Sequence, residues 1–323
     1  MTIPRLIPVL AAALALAACA QQAPSLPAAP LPVGPAIAIA ATPVPLNPAD
    51  LAQDRIGDFH YAGGLVLSSA DTARFHGLSD MAVRNGVDLT AVSDEGDLVK
   101  ARLVLDKAGR LVGLEGGRVS ALAGLDGKPL QGKLESDSEG MALLANGDML
   151  ISFEQRHRIW LYPADGSPPR EAPAPDAKFP PNGGMEALGP APELGPDAYV
   201  AGGEESGQTW TCRLSGGCTP GPTIAKPPEF GLVAVTHLPQ GRTAWLLRAW
   251  DPVRGNRIAL TIHDADGEIA RMDMARPLTI DNFEAIAAIP AKDGSVRFYL
   301  LSDDNFQSSQ RTLLLAFDWK PAR

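Results

Sequence analysis

The stretch NFEAIAAIPAKDGSVRFYLLSDDN, residues 282–305, carries two apolar runs on either side of an Asp-Gly turn. Glu284 stands at the start of the first run, and Asp303 and Asp304 stand at the end of the second. Apolar runs flanking such a turn read as a β-hairpin. A hairpin doubles back on itself, so acids at its beginning and end come to the same edge of the sheet. Like charges gathered there repel unless something neutralises them.

The arrangement recurs along the chain. SEGMALLANGDMLISFEQ (138–155) starts at Glu139 and ends at Glu154, and GGMEALGPAPELGPDAYVAGGEES (183–206) starts at Glu186 and ends at Glu204 and Glu205. GLSDMAVRNGVDLTAVSDEG (77–96) ends at Asp94. A weaker copy, GLVAVTHLPQGRTAWLLRAWD (231–251), has Leu232 in place of the leading glutamate and Arg248 in place of the final acid. The leading glutamates are 47 residues apart from Glu139 to Glu186, and 98 apart from Glu186 to Glu284. A period of roughly 40–50 residues with several strands per unit predicts a β-propeller, whose blades surround a central channel. Five units are legible, and residues 59–69 (FHYAGGLVLSS) are expected to pair with the C-terminal RTLLLAFDW to complete a sixth blade. Closing the ring in this way leaves no open sheet edge. The 32 glycines and 30 prolines punctuate these segments, and no long amphipathic helix pattern interrupts them. The expected class is all-β, a single six-bladed propeller over residues 51–323.

The residues before it read differently. Arg5, the apolar run 6–18 and the sequence LAAC at 16–19 form a secretory signal, too short to span a bilayer stably. Cleavage at small residues directly before a cysteine resembles the lipobox of bacterial lipoproteins. This predicts a signal peptide at 1–18 and lipidation of Cys19, with Ala20 favouring the outer membrane, facing the periplasm; an ordinary secretory signal is the other reading. Residues 19–50, rich in Pro and Ala and almost free of charge, are expected to be a disordered tether. The formal net charge of −9 argues against nucleic acid or anionic lipid as a ligand, and leaves the Cys19 anchor as the expected membrane contact. A propeller that closes on itself is expected to be monomeric. Cys212 and Cys218, flanking RLSGG, are expected to form a small loop-closing disulfide.

In a propeller, equivalent positions of each blade come to one radius and height. Glu139, Glu186 and Glu284 are therefore expected to converge at one mouth of the channel, with Asp94, Glu154, Glu204 and Asp303 close by. A ring of bare carboxylates is costly, since some must stay protonated. A hard cation relieves the cost. Calcium, which takes six to eight oxygen ligands in flexible geometry, is the first candidate and magnesium the second. The other reading of each acid is that it accepts backbone N–H hydrogen bonds from the next blade.

The repeat motifs carry a resemblance. GLSD at 77, AVSDEG at 91, DSEGMAL at 137, ISFEQRHRIWLY at 151, NGGMEAL at 182, DNFEAIA at 281 and LLSDDNFQSSQRTLLLAF at 300 resemble the phytase-like domain family known as "esterase-like activity of phytase". The resemblance implies a propeller in a secreted or surface-attached bacterial protein that hydrolyses a small phosphorylated or ester substrate. Calcium-dependent phosphoester hydrolysis would use Glu284 and Asp303 in catalysis and Arg248 as a phosphate clamp, because guanidinium binds phosphate oxygens two at a time. A salt bridge to Glu204 or Glu154 is the other role for Arg248. Arg156, Arg158, Arg254 and Arg311 are further clamp candidates. No G-x-S-x-G elbow is present, which disfavours serine-esterase chemistry. The alternative function is a non-catalytic envelope propeller that binds or scaffolds partners around a structural calcium.

Overall fold

Each repeat unit is one blade, and there are five blades rather than six. The computed structural model describes residues 35–321; the signal peptide and Cys19 lie outside them. Blade 1 is built from Leu78–Arg84, Asp88–Ser93, Asp97–Leu105 and Leu111–Ala121. Blade 2 is built from Ser138–Leu143, Met149–Phe153, Arg158–Tyr162 and Arg170–Ala172, and blade 3 from Ala187–Pro190, Ala198–Gly202, Gln208–Arg213 and Gly217–Thr223. Blade 4 comprises Gly231–Leu238, Arg242–Asp251, Gly255–Asp264 and Gly267–Met274. Blade 5 takes Asn282–Pro290, Val296–Asp303 and Thr312–Trp319 from the C-terminus and Phe59–Ser68 from the N-terminal side. The first strand of each blade touches the first strand of the next, and that of blade 5 touches that of blade 1, which closes the ring.

The pairing expected of residues 59–69 is present, but its consequence differs. Thr312 lies opposite Leu67 and Trp319 opposite Phe59. The fifth unit contributes three strands, and Phe59–Ser68 pairs with the third of them as the fourth strand of the same sheet, so no sixth blade is made. The packing gives the same count. Five separate apolar clusters occupy the five blade interfaces, for example Leu246, Leu260, Phe283 and Phe298 between blades 4 and 5. Ala91, Val99, Tyr299 and Leu314 fill the interface between blades 5 and 1. Because a blade is covered on both faces, its middle strands lose the apolar-polar alternation of a half-exposed sheet. All five residues of Met149–Phe153 are buried.

The expected tether boundary also moves. Ala40–Pro43 pairs with the outer side of Phe59–Ser68, and Tyr61 donates its hydroxyl to the Val44 carbonyl at 2.5 Å. Leu46 is buried, and its carbonyl accepts from the Thr279 amide at 2.8 Å. Residues 36–46 are thus part of the folded domain. The prolines here are tolerated because an outermost strand needs hydrogen bonds on one side only. Cys212 and Cys218 form the expected disulfide, linking directly opposed positions of two neighbouring strands of blade 3. No helix among the described residues is long and apolar enough to cross a membrane.

Candidate functional site: a carboxylate-lined channel mouth

The first strand of a blade is interrupted near its start. In blades 1, 2, 4 and 5 the register with the second strand slips between Leu78 and Asp80, Ser138 and Met141, Leu232 and Ala234, and Phe283 and Ala285. A bulge leaves a residue out of the ladder and re-aims its side chain. Glu139 and Glu284 lie within such slips, and Glu186 stands just before the first paired residue of blade 3, Ala187. In blade 4 the equivalent residue is Val233, not Leu232, and it is buried in the core shared with blade 5. Blade 4 therefore presents no leading carboxylate.

It presents Arg248 instead. The guanidinium Nη1 donates to Asn282 Oδ1 at 3.1 Å and contacts Glu284 Oε1, while Nη2 donates to Glu204 Oε1 at 3.2 Å and lies 3.9 Å from Glu186 Oε1. Asn282 supports Glu284 in turn, donating Nδ2 to Oε1 at 2.8 Å. Gly231 makes room for this group, since a Cβ there would stand 2.6 Å from Glu204 Oε1. Of the two roles open to Arg248 from sequence, the cross-channel salt bridge is the one its contacts match, through Glu204, Glu284 and Glu186 and not Glu154. Burial works to lower the Arg248 pKa, but Glu186 and Glu204 outweigh it and the net shift is upward.

On the other side of the mouth, Asp137, Glu139 and Glu154 each bring one carboxylate oxygen within 4.8 Å of the others. Asp137 was not anticipated as a ligand, because it precedes the hairpin; its signal was the DSEG motif. Lys133, on the short helix Lys133–Ser136, bridges Asp137 Oδ1 at 2.6 Å and Asp94 Oδ2 at 2.7 Å. Glu154 Oε1 accepts the amides of Gly183 and Gly184, both at 2.6 Å, and so also latches blade 2 to the segment leading into blade 3. Asp94 Oδ1 is buried without a hydrogen bond. Asp303, beside Asp94, accepts the Asn305 amide at 2.7 Å.

Eight carboxylates at this mouth (Asp94, Asp137, Glu139, Glu154, Glu186, Glu204, Glu284 and Asp303) thus share two cations, Arg248 and Lys133. The imbalance shows in their protonation. Burial, then Glu186, holds Glu139 well above the ordinary carboxylate range; burial, then Glu204, does the same for Glu186. Burial and the neighbouring Asp94 raise Asp303, and burial is also the first cause of the rise in Glu154. Asp94 is pushed up to about 6 by burial, against the pull of Lys133. An all-oxygen, electron-rich donor set with an orphaned buried oxygen fits a hard cation.

These shifts set a pH dependence. A carboxyl whose folded pKa is raised keeps protons that the unfolded chain has already released, so its stabilising contribution is present at low pH and lost as pH rises through the raised value. For Asp94 the window runs from 3.8 to about 6, and for Glu139, Glu186 and Asp303 it extends upward from the ordinary carboxylate range. In chelator, the melting temperature is expected to fall between pH 5 and pH 7.5. A rise over that interval in a thermal-melt series would rule out this account of the mouth.

The remaining acids and cations singled out from sequence have structural partners. Asp304 accepts from the Gly77 amide at 3.1 Å and Thr312 Oγ1 at 3.0 Å and lies 2.6 Å from His76 Nδ1, tying blade 5 to the start of blade 1. Asp281 pairs with Arg311 at 3.1 Å. Arg156 pairs with Glu135, Arg254 with Asp251, and Arg158 lies over the rings of Phe153 and Trp160. His157 contacts the Pro180 carbonyl at 2.9 Å.

Comparison with known proteins gives a family and a general likeness. The family described as "Phytase-like: Esterase-like activity of phytase" matches residues 73–306. No curated protein matches the chain. Among solved structures, regucalcin from Agrobacterium tumefaciens, described as a calcium-binding protein, is similar with a TM-score of 0.44 at 15% identity, over 92% of this chain and 94% of that one. Virginiamycin B lyase from Staphylococcus aureus has a TM-score of 0.40 at 13% identity, over 88% and 90%. The Malassezia sympodialis allergen Mala s 1 has 0.45 at 14%, over 89% and 96%.

Proposed function

Because the chain belongs to the phytase-like family described as "Esterase-like activity of phytase", we propose that it is a cation-dependent phosphoester hydrolase whose site is the carboxylate mouth of the channel. The observation that carries this reading is the group Asp137, Glu139 and Glu154, three carboxylate oxygens within 4.8 Å of one another in a ring whose acids outnumber its cations. These three would hold the cation, with Asp94 next in reach through its free Oδ1. Calcium is the proposed ion. When bound, such an ion offsets phosphate charge and lowers the pKa of a water.

The protein's own groups would do the rest. Glu186, whose carboxyl burial and Glu204 push well above the ordinary carboxylate range, has the direction of shift required of a general acid toward a leaving alkoxide. Arg248 would hold Glu186, Glu204 and Glu284 in position instead of clamping phosphate, since both of its terminal nitrogens are engaged. The proposal extends to place: a monomer anchored by lipid on Cys19 to the outer membrane, facing the periplasm.

A second reading, a structural calcium in a binding or scaffolding propeller, is favoured by the latch that Glu154 makes with Gly183 and Gly184. The deciding experiment measures metal content and turnover of 4-nitrophenyl phosphate, bis(4-nitrophenyl) phosphate and 4-nitrophenyl acetate, with calcium and with chelator. Calcium-dependent turnover of a phosphoester is the expected result. Bound calcium with no turnover of any of the three would leave the structural reading standing.

A further inference from the structure

Beside the carboxylate mouth, on the same face, a cleft of 780 Å³ opens between blades 4 and 5. Its walls come from the turn of blade 4 that carries Trp250 and Asn256, the segment after blade 4 with Arg276, and the loop of blade 5 with Asn305, Gln310 and Arg311. The side chain of Arg276 makes no hydrogen bond or ion pair among the described residues. Its guanidinium packs against Gly255, where a Cβ would stand 3.2 Å from both Cζ and Nε. Gly255 has φ +72°, so glycine suits the backbone there as well as the contact. Arg311 provides a second guanidinium, fixed by Asp281 and the Ile280 carbonyl at 3.0 Å.

The remaining lining is amide and aromatic. Asn256 Oδ1 is buried with no hydrogen-bond partner, an acceptor that a ligand hydroxyl could satisfy. Trp250 is 63% exposed, an unusual position for so large an apolar ring and a suitable platform for the face of a sugar. The cleft is joined to the mouth twice. Asn282, which lines the cleft, accepts from Arg248, and Asn305 donates its amide to Asp303.

We propose that this cleft binds a small anionic polyol, a sugar-like molecule whose phosphate or carboxylate lies between Arg276 and Arg311 and whose hydroxyls meet Asn256, Asn305 and Gln310. An unpaired guanidinium packed against a glycine selects the anion; neutral amides and an exposed indole select the polyol. The inference deepens the reading of the mouth by naming what the substrate carries, and it rests on that reading for the reaction but not for the binding.

The test is isothermal titration calorimetry of the full chain in chelator with glucose 6-phosphate, gluconate, glucose and inorganic phosphate. Glucose 6-phosphate or gluconate is expected to bind about tenfold or more tightly than glucose or inorganic phosphate, and whichever binds identifies the anionic group. Arg276→Ala should weaken that binding by about tenfold or more and Arg276→Lys by less, with melting temperature unchanged because the side chain is exposed. Glu139→Gln should leave the binding intact. No binding of either anion, binding of inorganic phosphate alone, or affinity unchanged in Arg276→Ala would overturn the proposal. Turnover lost while this binding persists would count against the hydrolase reading and not against the cleft.

Discussion

Replacing Arg248 with methionine is expected to lower the stability of the folded chain by about 3–5 kcal/mol, a fall in melting temperature of roughly 6–15 °C. The volume is nearly conserved, so the loss is electrostatic. Glu186, Glu204 and Glu284 all face this guanidinium, and without it three carboxylates are left in a partly buried site with no charge partner. Breaking a buried ion pair costs far more than the pair contributes, because the desolvated survivor is uncompensated. The deficit should shrink as pH is lowered toward 5, since Glu186 already has a raised pKa and takes up a proton readily once its cation is gone. Arg248→Lys should recover part of the stability, as it restores charge but not the two-nitrogen fork that reaches Glu284 and Glu204 together. Thermal melts of the three proteins at pH 5 and pH 7.5 check this. Equal melting temperatures for the parent chain and Arg248→Met at pH 7.5 would mean that the acids are neutralised by something other than Arg248.

Glu139→Gln is expected to reverse the effect of calcium. Removing one of three grouped carboxylates should weaken the ion by about a hundredfold or more, by analogy with the 10–100-fold that even supporting residues of metal sites contribute. At a calcium concentration about 100 times the parent dissociation constant, mass action stabilises the parent by about 2.7 kcal/mol; a hundredfold weaker site gains only about 0.4 kcal/mol at the same concentration. In chelator the order should invert. The amide removes a carboxyl that burial and Glu186 make hard to ionise, so the variant should melt above the parent at pH 7.5. Phosphoester turnover should fall with calcium affinity. A variant that melts below the parent in both calcium and chelator would indicate a structural acid rather than a ligand.

The two effects act on opposite halves of one ring, and that division was not visible in the repeat alone. Alignment of the hairpins predicts that Glu139, Glu186 and Glu284 share a mouth, and they do. Equivalence of position does not mean equivalence of role. Val233 turns one blade's contribution into packing, and Arg248, on the next strand of that blade, then draws Glu186, Glu204 and Glu284 to itself. Glu139 is left with Asp137 and Glu154. Asp304, adjacent in sequence to Asp303, faces His76, Gly77 and Thr312 and serves as a blade latch. Neighbouring residues on a strand point to opposite faces, so an acidic pair at a strand end divides between two functions.

Sequence alone was enough for the all-β class, the repeating blade, the disulfide, the pairing of residues 59–69 with 311–319 and the convergence of acids on one mouth. All of these follow from short-range pattern: apolar runs, Asp-Gly turns and a period. The number of blades, the β-bulges that aim Glu139 and Glu284, the partners of Arg248 and the cleft over Gly255 were decided by tertiary structure. Each depends on how one sheet meets another across the ring. Contacts between residues 77 and 304, or between 255 and 276, are set by sheet twist, ring closure and the space left between blades, which no local run of residues encodes.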